Sequence, residues 1–305
     1  MRIVFFGTPD MAAHILEPLV QYAEIVAIVT KQDAPQGRSS KLIAPPVKEL
    51  AQKLLPNVPI LQPAKCSTPE MVEQLNSFHA DLFVVVAYGE ILSEALLAAC
   101  PNGAINVHFS LLPKLRGAAP IQHAIINGDK VTGVSVIRLV KKMDAGDVLY
   151  AESFEIPENM TGGELGMALT KLGAKCLFKV LDDFEKGSVT AEVQDHSQAT
   201  MAPKITPEVC HLDWKKPART LYNLIRALSP QPGTWCDVLI RGEKKRMKVF
   251  KAEVVDSPTD LTVACGEGYL RLITIQPEGK PQMAVSDFLR GTPVSQINFP
   301  ASRRS

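Results

Sequence analysis

Asn106 and His108 stand two residues apart at the end of a short apolar run that begins at Ala104. On a β-strand that spacing puts both side chains on one face. Further along, Asp144 sits in a Met-Asp-Ala-Gly-Asp segment whose composition suits a turn. A neutral amide, an imidazole and a carboxylate make the minimal set for acyl transfer: a donor for a developing oxyanion, a proton carrier, and an acid to orient it. Each also has an ordinary reading. His108 alone could be a structural histidine, Asp144 a turn former, and Asp147 is the better turn or cap residue of the segment. Ser110 could pass for a nucleophile, but no Gly-x-Ser-x-Gly elbow surrounds it. His14, His79, His123, His196 and His211 lack paired ligand spacing, so no metal is assigned.

The surrounding pattern supplies elements to carry these residues. Strands over 2–6, 24–29, 58–61, 81–86 and 104–109 alternate with helices over 11–22, 47–55, 68–78, 91–99 and 118–127. The run Leu-Phe-Val-Val-Val-Ala after Asp81 is apolar on both faces, as in the middle of a parallel sheet. Two more strands, 133–139 and 148–156, flank Asp144, and a long helix over 161–186 opens with Thr161 and Glu164 at capping-box spacing. This alternation predicts an α/β fold with a doubly wound, mostly parallel, Rossmann-like sheet. In such sheets ligands sit at the carboxyl ends of the strands, where Asn106 and His108 fall. The turn Phe6-Gly7-Thr8-Pro9 lacks the glycines of a dinucleotide fingerprint, which argues against a nicotinamide or flavin oxidoreductase. Residues 31–46 are rich in Gly, Ser and Pro and are expected to be an irregular loop. After an extended linker at 189–207, a helix over 218–228 and short strands near 235–240, 246–255, 261–264 and 269–275 predict a small OB-like β-barrel. The expected domains are therefore 1–206 and 207–305.

The chain has 305 residues, 46% of them hydrophobic, enough for two medium domains. No apolar run approaches the roughly 20 residues of a membrane span, and the start, Met-Arg-Ile-Val-Phe-Phe-Gly-Thr-Pro-Asp, is too short in apolar residues for a signal peptide. Six scattered cysteines without a Cys-x-x-Cys predict reduced, mostly buried thiols and a cytoplasmic setting. The net charge of +1 hides an asymmetry: residues 1–207 hold 18 basic and 22 acidic residues, whereas 208–305 hold 15 and 10. A basic final third suits a polyanionic partner, although a solvated lysine-rich surface would give the same balance.

The segment from Asn106 to Asp147 closely resembles the formyltransferases that use 10-formyltetrahydrofolate. The shared features run in order: Asn-x-His, Ser110-Leu111-Leu112-Pro113, Arg116-Gly117-Ala118-Ala119-Pro120-Ile121, Thr132-Gly133-Val134 and the Asp144 loop. Upstream, Gln36–Leu42 is similar to that family's Gly-Arg-rich loop and Asp81–Leu92 to its central strand and turn. Downstream, Ala199–Ile205 and Leu212-Asp213-Trp214 are similar to its domain-junction segments. The likeness covers nearly the whole chain and is greatest to members that formylate the methionine carried by initiator tRNA.

The resemblance implies transfer of a formyl group from 10-formyltetrahydrofolate to that α-amino group. Asn106, His108 and Asp144 would be catalytic, with the Asn106 amide and a protonated His108 donating to the oxyanion and Asp144 favouring the imidazolium. Ser110, Leu111, Leu112 and Pro113 would contact folate. Arg38 and Lys41, together with Lys244, Lys245 and Arg246 of the basic third, would contact tRNA. A monomer without metal or membrane attachment is expected. The alternatives are a formyltransferase acting on an amino-sugar nucleotide or another small amine, a formyl-folate hydrolase, and a non-catalytic RNA-binding protein. The chain departs from the family pattern at Ser93, Lys114-Leu115, Ala145 and Met201, none of which replaces the amide, imidazole or carboxylate.

Overall fold

The computed structural model describes residues 1–35 and 42–300. They form two compact units. The first comprises Met1–Pro120, Val131–Glu155 and Gly166–Pro203; the second comprises Ile121–Lys130, Ile156–Leu165 and the chain from Lys204 onward.

In the first unit, elements follow as β1 (Arg2–Gly7), α1 (Asp10–Leu19), β2 (Glu24–Val29), the short pair β3 (Ala34–Pro35) and β4 (Leu42–Ile43), α2 (Pro46–Leu54), β5 (Ile60–Leu61), α3 (Pro69–Asn76), β6 (Leu82–Val86), α4 (Glu94–Leu97) and β7 (Ala104–His108). After α5 (Pro120–Asn127), nearly all of which belongs to the second unit, come β8 (Val131–Arg138), β9 (Val148–Glu155) and the long α6 (Gly162–Glu185), whose first residues also belong to the second unit. The sheet order is β5-β2-β1-β6-β7-β8-β9. The run from β5 to β7 is parallel, and β8 and β9 add antiparallel strands at one edge. The doubly wound, mostly parallel expectation is met. All five residues of β6 are buried between β1 and β7, which explains its uninterrupted apolar run.

Local chemistry sets the helix starts. Pro46 and Pro69 occupy first-turn positions, where their missing N–H costs nothing, and Thr68 accepts from the Met71 amide at 3.3 Å. The helix expected over 91–99 is the single turn of α4; its start is set by Ser93, whose hydroxyl accepts from Leu96 N–H at 3.2 Å. That accounts for the serine at this departure from the family pattern. At α6, Thr161 and Glu164 form the anticipated reciprocal box, with Thr161 N–H donating to Glu164 Oε2 at 2.8 Å and Glu164 N–H to Thr161 Oγ1 at 3.3 Å.

The second unit holds α7 (Ala218–Ala227), β10 (Thr234–Ile240), β11 (Glu243–Val255), β12 (Thr262–Ala264), β13 (Tyr269–Pro277), β14 (Met283–Ala284), α8 (Val285–Gly291) and β15 (Ile297–Asn298). Its strands are antiparallel in the order β12-β13-β11-β10-β15, with β14 on β13. β10 alternates buried and half-buried positions, and Val238, Met247, Val249, Leu270 and Leu272 face a core shared with Trp214, Leu221 and Ile225. β12 and β15 remain edges, so the expected small barrel is a half-barrel of antiparallel strands. The hairpin from β10 to β11 turns on Arg241 and Gly242, both at positive φ, as a two-residue turn requires. The elements α8, β14 and β15, like the β3–β4 pair within the expected irregular loop, have no counterpart in the sequence reading. All six cysteines are buried and unpaired.

Candidate active site

Asn106 and His108 leave β7 on the same face, next to Val85 of β6 on one side and to Ile137 and Ser135 of β8 on the other. Both line a cleft of about 560 Å³ at the carboxyl ends of β6 and β7. The switch in strand order, between β1 and β6, is one strand away. Tyr88, Gly89, Glu90, Ile91 and Leu92, which follow β6, form one wall, and Leu139–Lys141, Met143 and Asp144 form another. The lining is mainly apolar, and a cleft of this volume suits a small heterocyclic ligand.

His108 is 5% exposed. Its Nε2 lies 2.9 Å from the Leu115 carbonyl oxygen, which can only accept, so Nε2 carries a proton. Burial pushes the imidazole below its ordinary value and Arg116 adds to this, against the opposing pull of Asp144 and the Leu115 carbonyl. Burial thus favours the neutral ring, with Nδ1 turned toward Asp144, whereas the sequence reading expects a protonated His108 as oxyanion donor. Asp144 Oδ2 lies 3.8 Å from Nδ1, close enough to favour a proton there but too far for a direct hydrogen bond.

The carboxylate is held from the backbone: Gly117 N–H donates to Asp144 Oδ2 at 2.8 Å. Only glycine fits at 117, where φ is +118° and a Cβ would come within 2.7 Å of the Ala202 carbonyl oxygen. Asp144 itself adopts φ 49°, a left-handed conformation that aspartate tolerates better than most residues. Among the described residues the Asn106 amide has no hydrogen-bond partner, which leaves both its N–H groups available to a ligand in the cleft. A free amide donor, a bare imidazole nitrogen and a fixed carboxylate can together stabilise charge on an acyl oxygen and relay a proton.

The other anticipated residues lie elsewhere. Ser110–Pro113 follow β7 but do not line the cleft: Ser110 is fully buried and its hydroxyl donates to the Lys114 carbonyl oxygen at 2.7 Å, while Leu111, Leu112 and Pro113 are half-buried. Arg38 and Lys41 fall outside the described residues. Lys244, Lys245 and Arg246 begin β11, and strand alternation separates them. Lys244 and Arg246 share one face, where Lys244 pairs with Asp237 at 3.0 Å and Arg246 lies 4.0 Å from the Trp235 ring centre. Lys245 points the other way and pairs with Glu243 at 3.0 Å. Among the described residues no group of His, Cys, Asp and Glu is arranged to hold a metal ion, and no helix is long and apolar enough to cross a membrane.

The sequence reading missed the turn after β6 as a cleft wall, although its position beyond a central parallel strand was a usable signal. It also missed Gln194, for which no local signal exists.

Residues 1–181 match the family model described as formyl transferase, and residues 204–293 match formyl transferase, C-terminal domain. A methionyl-tRNA formyltransferase of Protochlamydia amoebophila is 43% identical over 98% of this chain and 98% of its own. One from Chlamydia muridarum is 44% identical over 95% and 96%. Among solved structures, the sugar 3N-formyltransferase WlaRD, determined with dTDP and 5-N-formyl-THF, has a TM-score of 0.66 at 16% identity, covering 92% of this chain and 99% of its own. HypX of Aquifex aeolicus with tetrahydrofolic acid has a TM-score of 0.64 at 17% identity; the match covers 95% of this chain but only 47% of the HypX chain. At these identities the two structures speak to fold alone.

Proposed function

The chain belongs to the formyl transferase family, and from that premise we propose that Asn106, His108 and Asp144 perform its reaction. That reaction is transfer of the formyl group of 10-formyltetrahydrofolate to the α-amino group of methionine on initiator tRNA, the activity for which relatives matching nearly the whole chain are named. Formylation of an amino-sugar nucleotide is not favoured, since the sugar enzyme WlaRD shares 16% identity against 43% for the tRNA enzyme of Protochlamydia. The observation that carries the residue assignment is the convergence of a partner-free amide, a buried imidazole and a backbone-held carboxylate on one cleft.

The folate co-substrate supplies the formyl group, and the apolar walls around Tyr88, Ile91, Leu92 and Leu139 suit a flat ring system. Asn106 donates to the formyl oxygen as charge develops there, an effect worth about 3–4 kcal/mol for one such donor. His108 Nδ1 accepts the proton released by the attacking amine. The imidazolium then faces the Asp144 carboxylate at 3.8 Å, a gap that one water can bridge when the proton moves on to the leaving nitrogen. Leu115 and Gly117 fix the ring and the carboxylate by backbone groups, so neither has to reorganise during transfer.

We further assign folate contacts to the turn Ser110–Pro113 through the half-exposed Leu111, Leu112 and Pro113 beside the cleft, Ser110 itself being buried and bonded to Lys114. The tRNA contacts are assigned to Lys244, Lys245 and Arg246, and to Arg38 and Lys41 on charge alone. Residues 1–206 are proposed as the catalytic domain and 207–305 as the tRNA-binding domain of a cytoplasmic monomer; sedimentation at working concentration checks the last point. The decisive assay is incubation with 10-formyltetrahydrofolate and Met-tRNA, with an amino-sugar nucleotide in parallel. Formyl-methionine on the tRNA is the expected product, and formylation of the sugar alone would reverse the reading.

A further inference from the structure

The loop carrying Asp144 hangs from one buried carboxamide. Gln194 lies in the extended stretch after α6 and is 5% exposed. Its Nε2 donates to two carbonyl oxygens of the loop, Asp144 O at 2.9 Å and Gly146 O at 2.6 Å. Its Oε1 accepts from Arg116 Nε at 3.2 Å and Nη2 at 2.6 Å. Arg116, 4% exposed, also donates from Nη2 to His196 Nδ1 at 2.8 Å. The next residue, Gly117, holds the Asp144 carboxylate. The bonds close a ring: Gln194 grips the loop backbone, Arg116 grips Gln194, and Arg116's neighbour grips the loop's side chain. On the loop's other side Gly146 has no room for a side chain, because a Cβ there would lie 1.9 Å from the Arg138 carbonyl oxygen.

The chemistry of this position is restrictive. It must donate twice to carbonyls and accept twice from a guanidinium, and a carboxamide of this length does both. A carboxylate would keep the Arg116 bonds but would turn an oxygen toward two carbonyl oxygens, leaving them without their donor in a buried place.

We infer that Gln194 is a positioning residue for the reaction: it fixes the Asp144–Gly146 turn so that the carboxylate stands opposite His108. The inference rests on Asp144 acting as proposed above. The titratable and charged groups facing His108 are Asp144 and Arg116; those near Gln194 and Arg116 are His196, whose Nδ1 accepts from Arg116, and Asp144, whose backbone carbonyl accepts from Gln194.

The test compares Gln194→Glu, Gln194→Ala and Asp144→Asn in the full-length enzyme, with thermal melting recorded for each. Gln194→Glu is the discriminating variant, since it retains the acceptor for Arg116 and loses the donors to the loop. If the loop shifts by about 1 Å, kcat should fall about 10–100-fold, with KM for folate and Met-tRNA nearly unchanged. The acid limb of the kcat profile should move to lower pH, as in Asp144→Asn, because His108 loses the carboxylate that holds its proton. Gln194→Glu added to Asp144→Asn should then cost little more. Wild-type kcat and an unmoved acid limb in Gln194→Glu overturn the inference. So does a lowered melting temperature with unchanged activity and pH profile per folded molecule, in both Gln194 variants, which would make the residue a packing element only. If Asp144→Asn itself leaves the acid limb unmoved, the catalytic reading of Asp144 fails instead.

Discussion

The site candidates of the first unit and the basic strand residues of the second are held by opposite means. In the α/β unit the decisive groups are buried and gripped by backbone: the Leu115 carbonyl on His108, the Gly117 amide on Asp144. In the half-barrel the charged groups stand on exposed strand faces and pair with each other, Lys244 with Asp237 and Lys245 with Glu243. Buried, backbone-fixed groups act as a unit and lose function sharply when one atom changes. Exposed pairs in high dielectric contribute little singly and are screened by salt. On the proposed assignment, the contrast predicts sharp losses from changes at the first unit's site and graded, additive ones at the second unit's basic strand.

The hardest test of that contrast is Asn106→Ala. It removes the free amide from the cleft and should lower kcat by about 10²–10³-fold while the protein stays folded; steady-state kinetics with a melting curve measure both. A loss of only a fewfold would erase the distinction between the units. Next comes pH. Burial depresses the His108 value, so the neutral, proton-accepting form persists below the ordinary histidine value of about 6.5, and the acid limb of kcat should fall under that pH. The same depression makes folding stability complete above the unfolded value and lost as pH falls through the folded one. Asp144→Asn removes the carboxylate that raises the value and should carry the limb lower still, as read from kcat against pH.

In the half-barrel, reversal of Lys244, Lys245 and Arg246 to Glu should raise KM for Met-tRNA by about tenfold. It should also flatten the dependence on salt by about 0.7–0.9 in log–log slope for each phosphate no longer neutralised, with folate binding unchanged. Arg246→Glu alone should reproduce most of the effect, because the two lysines already face carboxylates whereas Arg246 lies over Trp235. A salt-independent KM, unmoved by the reversals, would make this face an ordinary solvated surface. The smallest effect is expected from Thr161→Ala, which opens the capping box of α6 and should cost about 1 kcal/mol in denaturant unfolding, without touching KM for either substrate.

Most of this architecture was legible along the chain. Alternating strands and helices, the two-faced apolar run of β6, and the Thr161–Glu164 spacing are short-range patterns, and each became the element it announces. Among the elements missed, the β3–β4 pair is two residues a strand, and α8, β14 and β15 are short and take their order from packing on β13 and β10, which no local period records. At the site, Asn106 and His108 could be placed because one strand carries both. For the basic run 244–246 the sequence names the residues but not their faces, and the strand sends alternate members to opposite sides.

From residue types and spacing alone, the chain determined an amide and an imidazole on one strand face, an acid in a turn, and a basic final third after an acidic body. Only the tertiary structure decided the state of those groups. Whether His108 carries one proton or two depends on how much water is excluded around it and on which carbonyl reaches Nε2. Whether Asp144 faces it depends on Gly117 and on Gln194, fifty residues beyond Asp144 in a stretch with no periodicity. Spacing along a strand is a covalent constraint, visible in any sequence. Desolvation and hydrogen-bond partners are set by residues distant in the chain, and they exist only once the chain has closed upon itself.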